Sequence, residues 1–221
     1  MFDHKKFSQD LKILKQFYLE EGMTNSQLIG KHIQDLSKFD LTTLQSDEQK
    51  ISFWINVYNG LINYWVIEKS IKKSMLERPF LVIFSKINIG GFQFSPDDIE
   101  HGILRCNKRS KYKLCKQFSA RDVRIQFKLK KMDYRIHFAL NCGAKSCPAI
   151  SFYSAKNLDQ QLRTAENNFI EQEFIVDEVA KEISCSKIFW LYKKDFVKIY
   201  NNAPKYKSYK IRYRKYDFNL I

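Results

Sequence analysis

The chain has 221 residues, of which 44% are hydrophobic and 15% aromatic, and it contains only seven Gly and four Pro. This composition excludes disordered and collagen-like chains, and the length is sufficient for one domain with a sizeable core. The formal net charge of +14 at pH 7 indicates attraction to polyanions and acidic membrane surfaces.

The first third of the chain is predicted to be helical. Apolar residues recur at three- and four-residue steps from Phe7 to Tyr18, which predicts an amphipathic helix that ends at Gly22. A second helix is expected from Ser26 to about Phe39. Between Ile51 and Ile67, apolar side chains cover most of the helix circumference, so this third helix should be central and buried. Gly60, in its middle, indicates close approach of another backbone.

The rest of the chain is predicted to contain strands and shorter helices. In chain order, the patterns predict strands at Phe80–Phe84 and on both sides of a Gly-Gly turn within Lys86–Phe94, a short helix at Ser95–Arg105, a strand at Tyr134–Leu140, a helix at Asn157–Ile170, strands within Phe174–Cys185, a helix at Trp190–Tyr200 and a strand at Tyr209–Phe218. Because most predicted helices come early in the chain and the strands come later, the chain lacks the regular alternation of βαβ folds. We therefore predict the α+β class, with N-terminal helices and a buried central helix packed on a mainly antiparallel sheet.

No internal repeat or linker marks a domain boundary, so we expect one domain over residues 1–221, with residues 1–46 as a helical N-terminal extension and 47–221 as its core. The longest apolar stretch, Phe80 to Phe84, is far shorter than the roughly 18 residues that a membrane-spanning helix needs. Polar residues interrupt the N-terminus where a signal peptide has its apolar core, and an odd number of cysteines fits a reducing compartment. We expect a cytoplasmic protein without a transmembrane segment.

Basic residues alternate with tyrosines near the C-terminus, between Lys193 and Tyr216. Such a mixture suits phosphates and base faces. A strand with a solvated basic face explains the same pattern, because Tyr209, Ile211 and Tyr213 would then share one side. An acidic partner, if the protein has one, is expected to bind this region.

The densest chemical segment is Asp133–Pro148. A strand histidine, His137, precedes a turn-rich loop that carries Cys142 and Cys147. A cysteine nucleophile needs a thiolate, which a nearby base or backbone N–H groups stabilise. This pattern favours Cys147 as nucleophile, Cys142 as the alternative nucleophile, His137 as base and Asn141 as an orienting group. Buried structural thiols and a hydrogen-bonded core histidine would give the same sequence.

Two other chemical interpretations of this segment remain open. His137, Cys142 and Cys147 could bind a metal together with His101, although their spacing matches no common zinc pattern. The two cysteines could also form a redox couple, although their spacing is not C-x-x-C. Because neither pattern fits, we predict no metal and no other cofactor.

Two further polar pairs lie on predicted helices. Asn56 and Asn59 are three positions apart on the buried helix, so they either hold a loop or line a site, and Asn56 is a second candidate to orient the base. His101 and Arg105 are four apart on one helical face and could point into a common pocket, although a solvated helix surface explains them almost as well.

These segments together resemble the bacterial and plant proteins grouped as domain of unknown function 547. The resemblance covers roughly Asp47 to the end and is carried by Phe53–Asn59, Asp98–Arg105 and Arg135–Pro148, with closing segments at Ser186–Phe196 and Tyr216–Leu220. It implies that the chemical side chains meet in one site: Asn56, Asn59, His101, Arg105, His137, Asn141, Cys142 and Cys147. No established activity comes with this family.

The leading functional prediction is a thiol-dependent hydrolase or acyltransferase that acts on an amide or ester bond of a small molecule or peptide. Backbone N–H groups between Gly143 and Cys147 are the expected oxyanion donors. The alternative is a non-catalytic binding or scaffold module, in which the same residues fix loop geometry and the basic C-terminal region binds an acidic partner.

Overall fold

The helices and strands of the computed structural model, which describes residues 2–196 and 208–220, form an α+β fold, as predicted. The α-helices are α1 (His4–Glu21), α2 (Ser26–Ser37), α3 (Asp47–Glu68), α4 (Leu81–Phe84), α5 (Leu158–Glu173) and α6 (Lys187–Leu191). The strands are β1 (Ile87–Ile89), β2 (Phe92–Phe94), β3 (Phe174–Asp177), β4 (Glu182–Cys185) and β5 (Lys210–Tyr213). A π-helix spans Asp98–Leu104, and short 3-10 turns include Met75–Glu77 and Tyr134–Phe138.

Helix α3 is the central element of the fold, as its all-round apolar pattern predicted. The Ser46 hydroxyl accepts a hydrogen bond from the Gln49 N–H at 3.2 Å, and the Gln49 side chain accepts one from the Ser46 N–H at 3.0 Å. This reciprocal cap fixes where the helix begins. From Ile51 to Ile67 nearly every side chain is buried, so α3 is the scaffold on which the other elements pack.

Helix α1 crosses α3 at Gly60. A Cβ atom at Gly60 would lie 2.4 Å from the ring of Phe7, which is fully buried. The close approach predicted for this glycine therefore exists, but an aromatic ring makes it instead of a backbone. The α1 helix ends where expected, since Gly22 adopts the left-handed conformation with φ of +72° and its N–H donates to the Tyr18 carbonyl.

The strands form two small sheets. Strands β1 and β2 make an antiparallel hairpin with Ile87 opposite Phe94, and Gly90 and Gly91 supply the positive φ angles of its turn. In the second sheet β4 lies between β3 and β5, antiparallel to β3 and parallel to β5. Helices therefore pack against small antiparallel and mixed sheets.

Two predicted strands are helical turns. The Phe80–Phe84 segment forms α4, in which only Leu81 is fully buried. The Tyr134–Leu140 segment begins with a 3-10 turn, because the Asp133 carboxylate accepts a hydrogen bond from the Arg135 N–H at 3.0 Å and caps it. Its apolar and polar residues alternate as in a strand. Every side chain from 136 to 140 is nevertheless buried, so the alternation does not separate a buried face from an exposed face.

The C-terminal part of the chain is less regular than predicted. The predicted helix Trp190–Tyr200 overlaps α6, which ends at Leu191. The part of the predicted helix from residue 197 onward lies outside the described ranges. The basic and aromatic residues from 198 to 207 lie outside them as well. The predicted strand at Tyr209–Phe218 is limited to β5. After β5, the chain returns along the cysteine loop, which comprises residues 141–148. The Lys145 N–H donates to the Asn219 carbonyl at 2.8 Å, so the C-terminus is attached to this loop.

Within the described ranges, no helix combines the length and apolarity that crossing a bilayer requires.

Candidate functional site

A cavity of about 400 Å³ lies between the cysteine loop, α6 and residues 75–82. Its apolar walls include Met75, Leu81, Leu140 and Ile188. Its polar wall gathers groups from distant parts of the chain: Tyr58, Glu100, His101, His137, Cys142, Cys147, Tyr192 and Tyr216. The cavity is therefore an apolar chamber with one chemically reactive side.

Half of the predicted site residues line this cavity. These are His101, His137, Cys142 and Cys147. The other four lie behind the wall and contact backbone or other side chains: Asn56, Asn59, Arg105 and Asn141.

The helix amides hold neighbouring chain segments. The Asn59 side chain donates to the Ala139 carbonyl and accepts from the Asn141 N–H, both at 2.9 Å. The Asn56 side chain donates to the Tyr153 carbonyl at 2.7 Å and accepts from the Tyr153 N–H at 3.0 Å. Each amide thus satisfies two backbone groups in the core, as buried polar groups require. Within the described ranges, neither amide makes a hydrogen bond to His137, and Asn56 Nδ2 lies 2.8 Å from His4 Nδ1 instead, so Asn56 does not orient the predicted base.

Asn141 shapes the cysteine loop. Its side chain accepts from the Gly143 N–H and donates to the Pro148 carbonyl, both at 2.7 Å. Gly143 has φ of +91°, and a Cβ there would lie 2.8 Å from the Met75 sulfur. Glycine is therefore required by both backbone conformation and space. Asn141 positions the thiols through the loop and does not orient His137 as predicted.

The two thiols of the loop are in direct contact. The Sγ atoms of Cys142 and Cys147 lie 2.8 Å apart, and the Cys142 N–H donates to the Cys147 sulfur at 3.1 Å. The Tyr216 hydroxyl lies 3.0 Å from the Cys147 sulfur and 3.5 Å from that of Cys142. Both cysteines are partly exposed, so reagents in the cavity can reach them.

The pair releases its first proton from Cys142. The hydrogen bond from Cys147 lowers the pKa of the Cys142 thiol to about 7 although burial opposes it, and donors from Tyr216 and the Ala144 N–H add to the effect. Burial raises the pKa of the Cys147 thiol well above its usual value, and sharing a proton with Cys142 raises it further. Burial also raises the pKa of Tyr216, which therefore stays a neutral donor. The favoured state is a Cys142 thiolate with a protonated Cys147.

His137 is oriented by an aspartate that the sequence patterns did not reveal. Its Nε2 lies 2.9 Å from the Asp195 carboxylate, which also accepts from Arg105 Nε at 2.7 Å and Lys108 Nζ at 2.6 Å. Burial alone would raise the pKa of Asp195, but these three hydrogen bonds hold it well below its usual range. The His137 ring stacks on Tyr192 with centroids 4.0 Å apart.

This network determines the tautomer of His137. A carboxylate can only accept, so Nε2 carries the ring proton. Burial lowers the pKa of His137, which keeps the ring neutral near pH 7 and leaves a lone pair on Nδ1. Within the described ranges, no hydrogen bond joins His137 to either sulfur. Nδ1 makes no hydrogen bond within those ranges, so it remains able to accept a proton.

His101 is held by hydrogen bonds on both sides of its ring. Arg105 Nη1 donates to its Nδ1 at 2.7 Å, and its Nε2 lies 3.4 Å from the Asp97 carboxylate. Burial lowers the pKa of His101, so it too is neutral. Both of its nitrogens are occupied, which makes it a structural member of the wall.

Two further groups on the wall were missed in the sequence, although both lie inside the motifs quoted above. The Tyr58 hydroxyl makes no hydrogen bond to a described residue, and burial, then the Glu100 charge, raise its pKa. Glu100 accepts a hydrogen bond from the Tyr192 hydroxyl at 2.5 Å. Although burial acts in the opposite direction, that bond and the charge of Arg105 lower the pKa of Glu100, so it is a carboxylate.

The loop amides are not free to bind an oxyanion, contrary to the prediction. The N–H groups of Gly143, Lys145, Ser146 and Cys147 donate to oxygen atoms of the chain, and that of Ala144 contributes to the lowered pKa of the Cys142 thiol. Tyr58 is a neutral donor on the cavity wall whose hydroxyl has no partner among the described residues.

The metal interpretation finds no support in the described part of the chain. No group of three or more His, Cys, Asp or Glu side chains is arranged there to hold an ion. Both ring nitrogens of His101 are already occupied, by Arg105 and Asp97.

A protein-family model described as "Protein of unknown function, DUF547" matches residues 41–170. The match includes Tyr58, His137 and both loop cysteines but ends before Asp195 and Tyr216. Neither the curated proteins nor the solved structures contain a match.

Proposed function

Because the chain belongs to the DUF547 family, whose function is unknown, we propose its activity from the chemistry of the site: a thiol-dependent hydrolase or acyltransferase acting on an ester or amide with an apolar acyl group. The observation that carries the proposal is the pair of thiols on one cavity wall, with their sulfurs 2.8 Å apart. The hydrogen bond from Cys147 lowers the pKa of the Cys142 thiol to about 7. His137, which burial keeps neutral, lines the same cavity.

In the first step, His137 Nδ1 takes the proton of the Cys142 thiol or, where Cys142 is already a thiolate, a proton from solvent, and the thiolate attacks the carbonyl carbon of the substrate. A C–S bond forms, and the carbonyl π electrons move to oxygen, where the neutral Tyr58 hydroxyl donates a hydrogen bond. The intermediate then expels the alcohol or amine, which receives the proton from His137. The products are an acyl thioester on Cys142 and the free leaving group.

In the second step, water or an acceptor alcohol or amine attacks the thioester. His137 Nδ1 removes the proton of the attacking group, and the Cys142 thiolate leaves with the electrons of the C–S bond. Asp195 keeps Nε2 protonated through both steps and so directs Nδ1 toward the substrate. Attack by water makes the protein a hydrolase, and attack by another acceptor makes it an acyltransferase.

The shape of the cavity supports an apolar acyl group. A volume of about 400 Å³ is within the range of small-molecule sites, which lies at roughly 300–1,000 Å³. Apolar side chains such as Met75, Leu81 and Ile188 line the cavity. An acyl chain there would exclude water from the reacting carbonyl.

The first test is the rate of iodoacetamide alkylation of each cysteine against pH, followed by peptide mass spectrometry on native protein. We expect Cys142 to alkylate with a midpoint near pH 7. Exposed Cys115 is the internal reference for reagent access, and buried Cys185 reports unfolding. Slow alkylation of both loop cysteines until the protein unfolds would refute the nucleophile and favour the binding or scaffold module.

The second test is hydrolysis of p-nitrophenyl esters of increasing acyl length. Cys142→Ala should reduce kcat/KM to background, and His137→Ala should reduce it by about 10²–10⁴-fold while Cys142 still alkylates. Cys147→Ser, which keeps a donor beside Cys142, is the matched control and should retain most activity. The opposite result for the two cysteines would make Cys147 the nucleophile, as the sequence patterns favoured.

A further inference from the structure

The longest apolar run of the sequence lies at the surface of the folded protein. In α4 and the turn before it, Phe80 is 56% exposed, Phe84 is 74% exposed and Leu76 is 58% exposed. The rings of Phe80 and Phe84 contact each other with centroids 6.0 Å apart. These three side chains, here called the apolar ridge, expose a contiguous surface of the kind that marks an interaction site.

The apolar ridge is continuous with the entrance of the cavity. Leu76 and Phe80 line the cavity while remaining exposed. Phe218 and Tyr112, which are 38% and 46% exposed, line it from other parts of the chain. Exposed apolar side chains therefore belong to the lining of the chamber that holds the thiols.

Cations accompany the apolar ridge. Arg78 and Lys111 are exposed and line the cavity entrance, and exposed Lys86 follows the ridge two residues after Phe84. None of these three side chains has an ion-pair partner among the described residues. With a net charge of +14, this face is complementary to an anionic surface.

We propose that the apolar ridge docks on an anionic lipid bilayer, with the two rings and Leu76 in the interface and the neighbouring cations on lipid phosphates. Apolar side chains flanked by basic residues are the composition that binds such interfaces. A bilayer also supplies acyl chains at the entrance of an apolar cavity, which an acidic protein surface would not. The contact is peripheral, and it does not depend on the proposed thiol chemistry.

The test is co-sedimentation of the full chain with vesicles of phosphatidylcholine alone or mixed with phosphatidylglycerol. Binding should require the anionic lipid. Phe84→Ser, at the most exposed ridge position, should weaken it at least fivefold. Arg78→Gln with Lys111→Gln should weaken it by about fivefold for each charge removed, since each cation near the surface contributes about that factor.

Matched controls separate this surface from general basicity. Val179→Ser removes an even more exposed apolar side chain in the turn after β3, and Lys31→Gln with Lys131→Gln removes the same charge elsewhere. Both controls should bind as the parent protein does. Equal losses in the charge control, or no effect of Phe84→Ser, would overturn the proposal. So would a dimer in solution that Phe84→Ser dissociates, because the ridge would then contact a second copy.

Discussion

Cys142 and Cys147 occupy different electrostatic environments although their sulfurs are only 2.8 Å apart. The hydrogen bond from Cys147 lowers the pKa of the Cys142 thiol and so stabilises its anion, whereas burial raises the pKa of Cys147. The Cys147 thiol acts as donor to that anion. This division of roles requires both thiols to be reduced, and the same proximity makes the pair sensitive to oxidation.

We expect glutathione disulfide to convert the pair into a disulfide. The Cys142 thiolate attacks one sulfur of the oxidant and releases one glutathione, and Cys147 then displaces the second from the mixed disulfide. The net reaction removes two hydrogen atoms from the protein and yields two glutathione molecules. Intact-mass measurement should show that loss, together with protection of both cysteines from iodoacetamide.

Cys147→Ser is the control for this reaction, because it leaves no thiol to resolve the mixed disulfide. Its mass should increase by one bound glutathione at Cys142. If the parent protein also stops at the glutathione adduct, the two sulfurs are not positioned to bond.

Packing between α1 and α3 determines how Gly60 affects the stability of the protein. A glycine inside an α-helix usually costs about 1 kcal/mol relative to Ala, so α3 would be expected to gain from replacing it. At Gly60 the added methyl group would lie 2.4 Å from the buried Phe7 ring. The steric cost therefore exceeds the gain in helix propensity.

Gly60→Ala should lower the free energy of unfolding by about 1–3 kcal/mol, measured by urea denaturation. Gly30→Ala is the matched control, because Gly30 also lies inside a helix but has no neighbour within 4 Å of its added Cβ. It should stabilise the protein by about 0.5–1 kcal/mol. Stabilisation by both substitutions would show that α1 does not pack tightly on α3 in solution.

The helices of the N-terminal half were predictable because their signals are local. The spacing from Phe7 to Tyr18, the left-handed Gly22 and the Ser46 cap each act within a few residues of the helix they define. The hairpin around Gly90 and Gly91 was predictable for the same reason. The fold class and the family resemblance were predicted from segments whose signals are local in this way.

Other features depend on contacts between distant residues. Asp195 lies 58 residues after His137, and no motif marks it as the partner of that ring. The Tyr134–Leu140 segment alternates like a strand, yet a cap at Asp133 and burial on all sides make its first turn helical. The roles of the buried amides also required the structure, because Asn59 acts on a loop 82 residues away.

We expect the free energy of unfolding of the whole molecule to depend on pH, because burial shifts the pKa values of three histidines. Burial lowers the pKa values of His4, His101 and His137 below the usual 6.5. As pH falls below 6.5, the unfolded chain binds protons that the folded chain excludes. These groups therefore contribute stability that is fully present above about pH 6.5 and is lost as pH falls toward their folded pKa values.

Urea denaturation between pH 7 and pH 5 should show this loss, with a slope of at most about 1.4 kcal/mol per pH unit for each histidine. Carboxylates such as Asp195, whose pKa is lowered, lose their contribution to stability only at a more acidic pH. Cys142, with a pKa of about 7, titrates at the upper end of the range from pH 5 to pH 7 and above it. His137→Gln should reduce the slope by the share of one group. A stability that is constant from pH 7 to pH 5 would mean that these rings are solvated in the folded protein, and His137 would then lack the fixed neutral tautomer that the proposed reaction needs.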